Sequence, residues 1–378
     1  MDKTTKTILG VIVLALVVWG VASGVKQKGE QTGKETGPIK VGFYGSLTGD
    51  AASIGEVALA ATQMAVGDVN AAGGVNGRQL ELIVEDSACN SGGGTNAVNK
   101  LVNVDKVTAI VGGLCSGETA PAAPIAQNAG VPMVSYCSSA PGISNLGDYI
   151  FRTYPSDAFQ SVYAAEYAYN NLNKRKAAVL YIKTDWGQGL HDGFTTKFKE
   201  LGGAVVYAES FPQGTADFRS HVSKIKATTP DLVYFVAYNE AAIPGLKQMN
   251  ELGLSVPVLG GDGFDDVTIP QGAGSAAEGV MYTVPKSEID ENFKTRLMSE
   301  KGKEAGLCSP NAYDTVKILA KVMSENGTKG EAIKKGLEEL KDYKGVSGNI
   351  SFDKNGDLTE AHYQVKVMRG GKLEVLSQ

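Results

Sequence analysis

The sequence VTAIVGGLCSGETAPAAPIAQNAGVPMVSYCSS, residues 107–139, decides the fold of this chain. Its β-branched run at 107–111 is typical of a fully buried parallel strand, and the apolar residues 132–135 predict a second strand. Between them, residues 118–130 predict a helix, because capping side chains and a proline open the segment and a glycine closes it. The stretch therefore predicts a strand–helix–strand unit of a parallel sheet.

Two loops follow these strands at their carboxyl ends, residues 114–116 and 137–139. Open α/β sheets bind ligands at that edge. The hydroxyl groups of Ser116, Ser138 and Ser139 would converge there with backbone N–H groups and with the N-terminus of the helix. Such a set of donors suits a carboxylate group. We therefore expect this edge of the sheet to bind the anionic part of a ligand.

The composition is that of a globular protein with room for two domains. The chain has 378 residues, of which 43% are hydrophobic and 20% are charged. A net charge of −5 and the lack of a basic stripe argue against nucleic-acid binding. The three histidines, His191, His221 and His362, are far apart and lack metal-ligand spacing. We expect neither a metal nor a cofactor.

The N-terminal segment, residues 1–38, differs from the rest of the chain. Lys3 and Lys6 precede an 18-residue apolar run at 8–25, a pattern that predicts export. The run is just long enough to span a bilayer, so a cleaved signal and a retained anchor both stay open. The polar stretch 26–38 predicts a flexible tether. We expect an extracytoplasmic protein that meets the membrane only through this segment.

From residue 39 onward, strands and helices alternate in two consecutive blocks of similar length. Such alternation gives parallel sheets flanked by helices. The predicted fold class is therefore α/β, with two doubly wound parallel-sheet lobes and a cleft between them. Trp186 falls in a predicted loop at 184–188. Near the end, residues 347–352 and 362–368 flank a turn, which predicts a hairpin.

An enzymatic function has little support. Residues 113–117 have the Gly-x-Cys-x-Gly form of a nucleophile elbow, but His362 falls in the predicted hairpin and no acidic partner accompanies it. A dinucleotide-like glycine pattern at 272–277 precedes a strand where it should follow one. The acidic residues at 353–357 form a tight turn with the calcium-loop glycine misplaced. We therefore expect a binding protein and no catalysis.

The four cysteines favour disulfide bonds, because their number is even and they follow an export signal. Cys89 and Cys115 both lie in loops at the same edge of the first predicted sheet, which predicts a bridge between them. Spacing alone leaves a second pair, Cys137 with Cys308, open.

Several segments together resemble the periplasmic leucine/isoleucine/valine-binding protein family, the type I solute-binding proteins of ABC importers. The resemblance runs from residue 39 to the end, and its markers are IKVGFYGSLTGDAASIG, NAAGGVNGRQLELIVEDSACN, VGGLCSGETAPAAPIAQNAGVPMVS, FRTYPSD, TDWGQGL, DFRSHVSKIKATTPDLVYF and SFDKNGDL. It implies a type I periplasmic binding fold whose lobes are joined by a three-stranded hinge. It also implies a monomer that binds a free amino acid, branched-chain or otherwise uncharged, and delivers it to permease subunits.

The resemblance assigns roles to residues by their positions. Ser116 and Ser139 fall where hydroxyls hold an α-carboxylate, Asp262 where an acidic residue holds the α-ammonium, and Tyr238 beside that ammonium. Positions lining the side-chain pocket are occupied by Ile54, Leu114, Cys137 and Trp186. Asp262 is shorter than the glutamate common at its position, and Ile54 and Trp186 stand where tyrosines are frequent. These departures put the shape of the pocket in doubt.

The family's chain crosses three times between its lobes, and its disulfide matches Cys89 and Cys115. The resemblance implies crossings near 154–157, 283–286 and 345–348. The lobes would then comprise 39–155 with 285–346, and 156–284 with 347–378. An alternative stays open, a ligand-sensing module of the same fold that binds an amino acid or an amide and feeds a receptor instead of a transporter.

Overall fold

The structure, a computed structural model, describes residues 37–286 and 289–376. The apolar run at 8–25 and nearly all of the tether lie outside the described residues, so the expectations for them stay predictions. None of the helices in the described ranges combines the length and the apolar character that crossing a bilayer requires.

Five parallel strands form the first sheet, because short buried apolar runs alternate with helices along this part of the chain. They are β1 (Ile39–Gly45), β2 (Leu80–Asp86), β3 (Ala109–Val111), β4 (Met133–Ser135) and β5 (Ile150–Arg152). Their order across the sheet is β2-β1-β3-β4-β5, and all neighbours are parallel. The carboxyl ends of β3 and β4 therefore lie side by side, and so do the loops that follow them.

Three helices link these strands: α1 (Ala52–Ala71), α2 (Ser91–Asn99, continued by a π-helical segment at Lys100–Asp105) and α3 (Ser116–Ala129). Helix α3 ends at Gly130, whose φ of 64° is the left-handed conformation that glycine adopts most easily. Its start differs from the prediction, because Glu118 does not begin the helix. The Glu118 carboxylate turns back to accept the N–H of Cys115, so α3 begins at Ser116 and contains Pro121 in its interior. The first turn of α3 therefore belongs to the predicted binding loop.

Seven strands form the second sheet, in the order β14-β13-β10-β9-β8-β6-β7. They are β6 (Lys176–Ile182), β7 (Ala204–Phe211), β8 (Leu232–Val236), β9 (Val258–Gly260), β10 (Met281–Pro285), β13 (Tyr363–Arg369) and β14 (Lys372–Val375). Strands β6 to β10 are parallel, whereas β13 is antiparallel to both β10 and β14. The accompanying helices are α4 (Asp157–Glu166), α5 (Asp185–Glu200), α6 (Arg219–Ala227), α7 (Asn239–Glu251) and α8 (Thr268–Ala273).

Three later helices pack with the elements of the first sheet. They are α9 (Glu291–Lys301), α10 (Ser309–Asn326) and α11 (Gly330–Glu338), and α10 lies along α1. Tyr313 of α10 donates a 2.6 Å hydrogen bond to the Asp68 carboxylate of α1. Arg296 of α9 donates to the same carboxylate at 2.7 and 2.9 Å. The chain thus returns to the first lobe after it has built most of the second sheet.

The predicted terminal hairpin is wrong in its strand partners. Strand β12 (Gly348–Ile350) pairs antiparallel with β11 (Tyr343–Gly345), which precedes it, and not with residues 362–368. Those later residues belong to β13, which lies between β10 and β14 in the second sheet. A position inside a sheet satisfies the backbone hydrogen bonds of a strand on both edges, whereas a lone hairpin satisfies only one.

The two sheets define two lobes, and the α/β fold class is the one predicted. The chain passes between the lobes after β5, after β10 and before β13. The start of α1 contacts the second lobe directly, where the Ala51 N–H donates to Glu240 Oε2 at 3.1 Å and Ser53 Oγ donates to Asp266 Oδ2 at 2.5 Å. The two lobes therefore contact each other at the N-terminus of α1.

Candidate ligand-binding site

One side of the site, here called the donor side, consists of Ser116, Ser138 and Ser139. Ser116 joins the two binding loops, because its Oγ accepts hydrogen bonds from the backbone N–H groups of Ser139 (3.1 Å) and Ala140 (3.0 Å). A hydroxyl that accepts two bonds can still donate one. The N–H groups of Ser116 and Gly117, which open α3, have no acceptor in the described part of the chain. These donors suit a carboxylate at a helix N-terminus.

Ser138 and Ser139 differ in what their polar groups contact. The Ser138 hydroxyl lies 2.6 Å from Thr119 Oγ1 and 3.3 Å from the carbonyl oxygen of Leu114, so it bonds to the protein itself. The Ser139 carbonyl accepts the N–H of Asp157 at 2.8 Å, which connects the donor side to helix α4. Ser138 thus stabilises the loops, and the hydroxyls of Ser116 and Ser139 are better candidates for contact with a ligand.

The buried Glu118 fixes the donor side from behind. Its carboxylate accepts the N–H groups of Leu114 (2.8 Å) and Cys115 (3.2 Å) and the hydroxyl of Ser87 (2.6 Å). Burial raises the pKa of Glu118 to about 7, although these hydrogen bonds oppose the rise. The loop before α3 is therefore held by a carboxylate whose pKa lies near neutral pH.

Two disulfides also hold the donor side. Cys89 is bonded to Cys115, which precedes Ser116, and Cys137 is bonded to Cys308 at the start of α10; both pairs have Cα atoms 5.4 Å apart. The first pair joins the loops after β2 and β3, as predicted, and the second pair is the one that spacing left open. The sulfurs of Cys89 and Cys115 lie within 4.8 Å of a Glu118 oxygen. Because both sulfurs are oxidised, they offer no thiolate to a metal.

The opposite side, here called the acceptor side, consists of Tyr154, Asp157 and Asp262. Asp262 follows β9, is only 4% exposed, and accepts the Tyr154 hydroxyl on Oδ2 at 2.7 Å. Its Oδ1 is buried and has no hydrogen-bond partner among the described residues. Burial raises the pKa of Asp262 to about 6. A carboxylate with an unfilled acceptor position in an apolar surrounding favours a cationic donor.

Asp157 is a candidate functional residue that our sequence interpretation missed. It is fully buried in the first turn of α4, and neither of its carboxylate oxygens has a hydrogen-bond partner of normal geometry among the described residues. Burial and then the neighbouring Asp262 raise the pKa of Asp157 well above its usual range, while the Ser139 hydroxyl and Arg152 oppose that rise. In the sequence, the segment FRTYPSD serves as a family marker and predicts only a lobe crossing near 154–157. Its signal was an aspartate directly after a helix-capping serine at a lobe crossing.

Trp186 and Tyr238 form an aromatic stack beside Asp262. Their ring centroids are 4.5 Å apart with an angle of 15° between the planes. Trp186 lies in the first turn of α5 and not in a loop as predicted, because Thr184 caps the helix by accepting the N–H of Gly187. A Cβ atom at Gly263 would lie 2.8 Å from the Trp186 ring, so glycine allows the stack to approach the Asp262 turn closely.

The remaining predicted pocket residues, Ile54 and Leu114, are buried with exposures of 6% and 4%. Ile54, Tyr154 and Cys308 also line a cavity of about 940 Å³ that extends between the lobes beside the hinge segments. The other predicted residues do not line this cavity. Ile54 and Leu114 form, with Trp186 and Cys137, a set of buried, uncharged side chains, here called the uncharged middle section.

A group of donors on one lobe and buried acceptors on the other, with uncharged residues between, is suited to a small zwitterion. A fold of two such lobes with this interlobe site defines a two-lobed solute-binding protein. The family model for periplasmic binding proteins matches residues 38–372, so this chain belongs to the periplasmic binding protein family.

Known proteins of this kind are similar over nearly the whole chain. The leucine-, isoleucine-, valine-, threonine- and alanine-binding protein of Pseudomonas aeruginosa is 32% identical, over 86% of this chain and 89% of its own length. The crystal structure of the branched-chain amino acid transporter substrate-binding protein LivJ from Streptococcus pneumoniae, in complex with isoleucine, has a TM-score of 0.82 and 28% identity over 90% of this chain and 99% of its own. The resemblance drawn from the sequence is therefore confirmed.

A more distant structure shares the fold with a different ligand. A solute-binding protein of an ABC transporter from R. palustris, in complex with 4-hydroxybenzoate, has a TM-score of 0.81 with 22% identity, over 90% of this chain and 96% of its own. Structures of this fold therefore accommodate a carboxylate ligand without an amino group. Whether the acceptor side requires a cationic group distinguishes amino acids from carboxylates without an amino group as ligands.

Proposed function

We propose that this protein is the extracytoplasmic solute-binding protein of an ABC importer and that it binds a free α-amino acid with an uncharged side chain between its lobes. The observation that carries the proposal is the acceptor side. Asp157 and Asp262 are buried, and three of their four carboxylate oxygens have no hydrogen-bond partner in the described chain. An α-ammonium offers three N–H donors and one positive charge to these oxygens.

The donor side supports the same ligand from the opposite direction. Ser116 and the free N–H groups at the start of α3 favour a carboxylate through direct hydrogen bonds and through the helix dipole. Between the two sides, Ile54, Leu114, Trp186 and the oxidised Cys137 carry no charge. A charged ligand side chain would lose its hydration there without gaining a partner. These features favour leucine-like over acidic or basic amino acids.

The relatives support an amino acid over an aromatic acid as the ligand. The curated relative from Pseudomonas and the LivJ structure both concern branched-chain or small amino acids, whereas the 4-hydroxybenzoate complex has lower identity. A benzoate has no group that would neutralise Asp157 and Asp262. Its carboxylate would satisfy the donor side and leave the acceptor side unpaired.

Hinge closure would couple ligand binding to transport. We infer lobes comprising residues 39–155 with 285–346 and 156–284 with 347–378, which separate at the three crossings. The direct contacts from Ala51 and Ser53 to the second lobe are of the kind that closure would form. The closed protein would then present its ligand to the permease subunits of the importer.

The test is a ligand screen by differential scanning fluorimetry with the exported part of the chain. We expect leucine, isoleucine or valine to raise the melting temperature, and benzoates, amides and acidic or basic amino acids to raise it much less. A matched screen with Asp262→Asn should lose the response to amino acids. A largest shift with benzoate or an amide in the wild-type protein would contradict the proposed ligand class.

A further inference from the structure

Two buried carboxylates, Asp157 and Asp262, act on one another at the acceptor side. Both are nearly inaccessible to solvent, at 0% and 4% exposure. Asp157 Oδ1 and Oδ2, Asp262 Oδ1 and the nearby Gln160 Oε1 are all acceptors without a donor in the described chain. Two ionised carboxylates cannot share such a site at low cost, because like charges in an apolar surrounding repel strongly. Asp262 is close enough to raise the pKa of Asp157, and one proton on either carboxylate would relieve this repulsion.

The other groups that face this pair include one cation, Arg152, whose charge lowers the pKa of Asp157 but does not cancel its rise. They come from five elements or loops and are Arg152, Tyr154, Tyr234, Tyr238 and Tyr363, with Glu118 acting on Tyr238 from the donor side. Burial raises the pKa of each tyrosine well above its usual value, so all four are neutral. Arg152 donates to Asp357 (2.6 Å), Ser144 (2.7 Å) and the Ala140 carbonyl (3.0 Å), so its hydrogen bonds are committed elsewhere.

We propose that Asp157 and Asp262 share one proton when no ligand is bound, and that the ammonium group of the ligand replaces it, so that each binding event releases one proton to the solvent. The inference rests on the proposed function, since it needs a cationic ligand group. Charge balances in this exchange. The carboxylate pair with its proton carries one negative charge, and the two ionised carboxylates together with the ammonium again carry one.

The pKa shifts support this exchange near neutral pH. Burial raises the pKa of Asp262 to about 6 and that of Asp157 well above its usual range, which favours a pair that keeps a proton while no ligand is bound. A positive charge beside the pair lowers both pKa values and expels that proton. Because binding and proton release are linked, affinity should rise by about tenfold per pH unit while one proton is released. The ammonium of leucine stays protonated throughout this range.

Isothermal titration calorimetry with L-leucine tests the exchange. The protein is titrated at pH 7 in buffers with different ionisation enthalpies, and the slope of the observed enthalpy against the buffer enthalpy counts the protons released. We expect close to one proton per leucine, and a dissociation constant that falls about tenfold between pH 6.5 and pH 7.5. A slope near zero with a dissociation constant independent of pH would overturn the inference and leave the proposed function intact. A lack of any heat from leucine in all buffers would overturn both.

Two variants assign the released proton to the pair. Asp157→Asn leaves one carboxylate at the site, so the slope should fall close to zero while leucine still binds. Asp314→Asn removes a different buried carboxylate with a raised pKa, one that is not part of the donor or acceptor side, and should leave the slope unchanged. Release of one proton by Asp157→Asn, or its loss in Asp314→Asn, would show that the proton comes from elsewhere. Circular dichroism establishes that each variant is folded. The wild-type titrations in several buffers test proton release without any variant.

Discussion

The donor side and the acceptor side of the site are built in different ways. On the donor side, Ser116 is tied to the next loop by two backbone N–H groups, Glu118 fixes the first turn of α3, and two disulfides hold the loops. On the acceptor side, Asp157 and Asp262 are buried with unfilled oxygens. The first side is held in place by bonds within the protein and keeps free N–H donors at the start of α3, whereas the second has buried oxygens that no group of the described chain fills.

This difference shows where ligand recognition is decided. A donor side that is already hydrogen-bonded positions a carboxylate without reorganising, which preserves affinity but discriminates little between carboxylates. A buried acceptor pair is costly until a cation arrives, and therefore rejects ligands that lack one. Four predictions disturb one side at a time.

Removing the disulfides should have the largest effect, on stability. The pair Cys137–Cys308 spans 171 residues and Cys89–Cys115 spans 26, so the chain-entropy estimate is about 5 and about 3.5 kcal/mol respectively. Urea unfolding of the two double Cys→Ser variants measures both. Equal midpoints for the wild type and both variants would contradict the structural role given to these bonds. Dithiothreitol reduces the disulfide that each double variant keeps. Unfolding with and without it tests whether the two disulfides stabilise the protein independently.

Asp262→Asn attacks the acceptor side directly. It should weaken leucine binding by roughly 2–5 kcal/mol, because one partner of a buried charged pair is lost. Calorimetry of the variant measures the loss, and Asp217→Asn, an exposed aspartate of the same lobe, is the matched control. An Asp262→Asn protein that binds leucine like the wild type would remove Asp262 from the site.

Ser116→Ala should have a smaller effect on the donor side. The change leaves the N–H groups of Ser139 and Ala140 without their acceptor, at a cost of about 1–3 kcal/mol in stability, and weakens leucine binding by about 1 kcal/mol. Ser138→Ala is the control, since its hydroxyl bonds to the protein interior. Thermal melts and leucine titrations of both variants separate the two roles. Equal losses of affinity would refute the distinction between these serines.

The pH dependence of stability should show the smallest effect. Burial raises the folded-state pKa values of Glu118 (about 7), Asp314 (about 6) and Asp262 (about 6), and raises that of Asp157 well above its usual range. The stability that these groups contribute is therefore present at acidic pH and is lost as pH rises through these pKa values. The unliganded protein should therefore be more stable at pH 5 than at pH 8, by roughly 1–3 kcal/mol. Glu118→Gln should flatten this dependence. A wild-type melting temperature that is higher at pH 8 than at pH 5 would contradict this predicted pH dependence.

The sequence predicted the fold through local patterns. Buried runs such as 107–111 and the glycine after α3 mark elements by short-range chemistry, so strand and helix order could be predicted. The pairing partners of the strands could not be predicted in this way, and the structure pairs β12 with β11 instead of with the terminal strand. Helix boundaries also shifted by a few residues, since the local contact of Glu118 with the Cys115 N–H starts α3 at Ser116.

The candidate site was predicted in unequal parts. Ser116, Ser139 and Asp262 could be named because they follow strands or match positions in a family. Asp157 could not, because its significance comes from burial beside Asp262, and burial between two lobes has no local signature in the sequence. Trp186 matches a pocket position of the family, but it lies in a helix and not in the predicted loop, because the Thr184 hydroxyl caps α5 just before it.

The most direct measurement compares leucine with 4-methylpentanoate, its analogue without the amino group, in calorimetric titrations of the wild-type protein at one pH. The two ligands share the carboxylate and the side chain, so the donor side and the uncharged middle section treat them alike. We predict that the analogue binds at least about 30-fold more weakly, corresponding to roughly 2 kcal/mol or more from the acceptor side. Equal affinities would show that Asp157 and Asp262 do not select an ammonium group, and would contradict the account of this site.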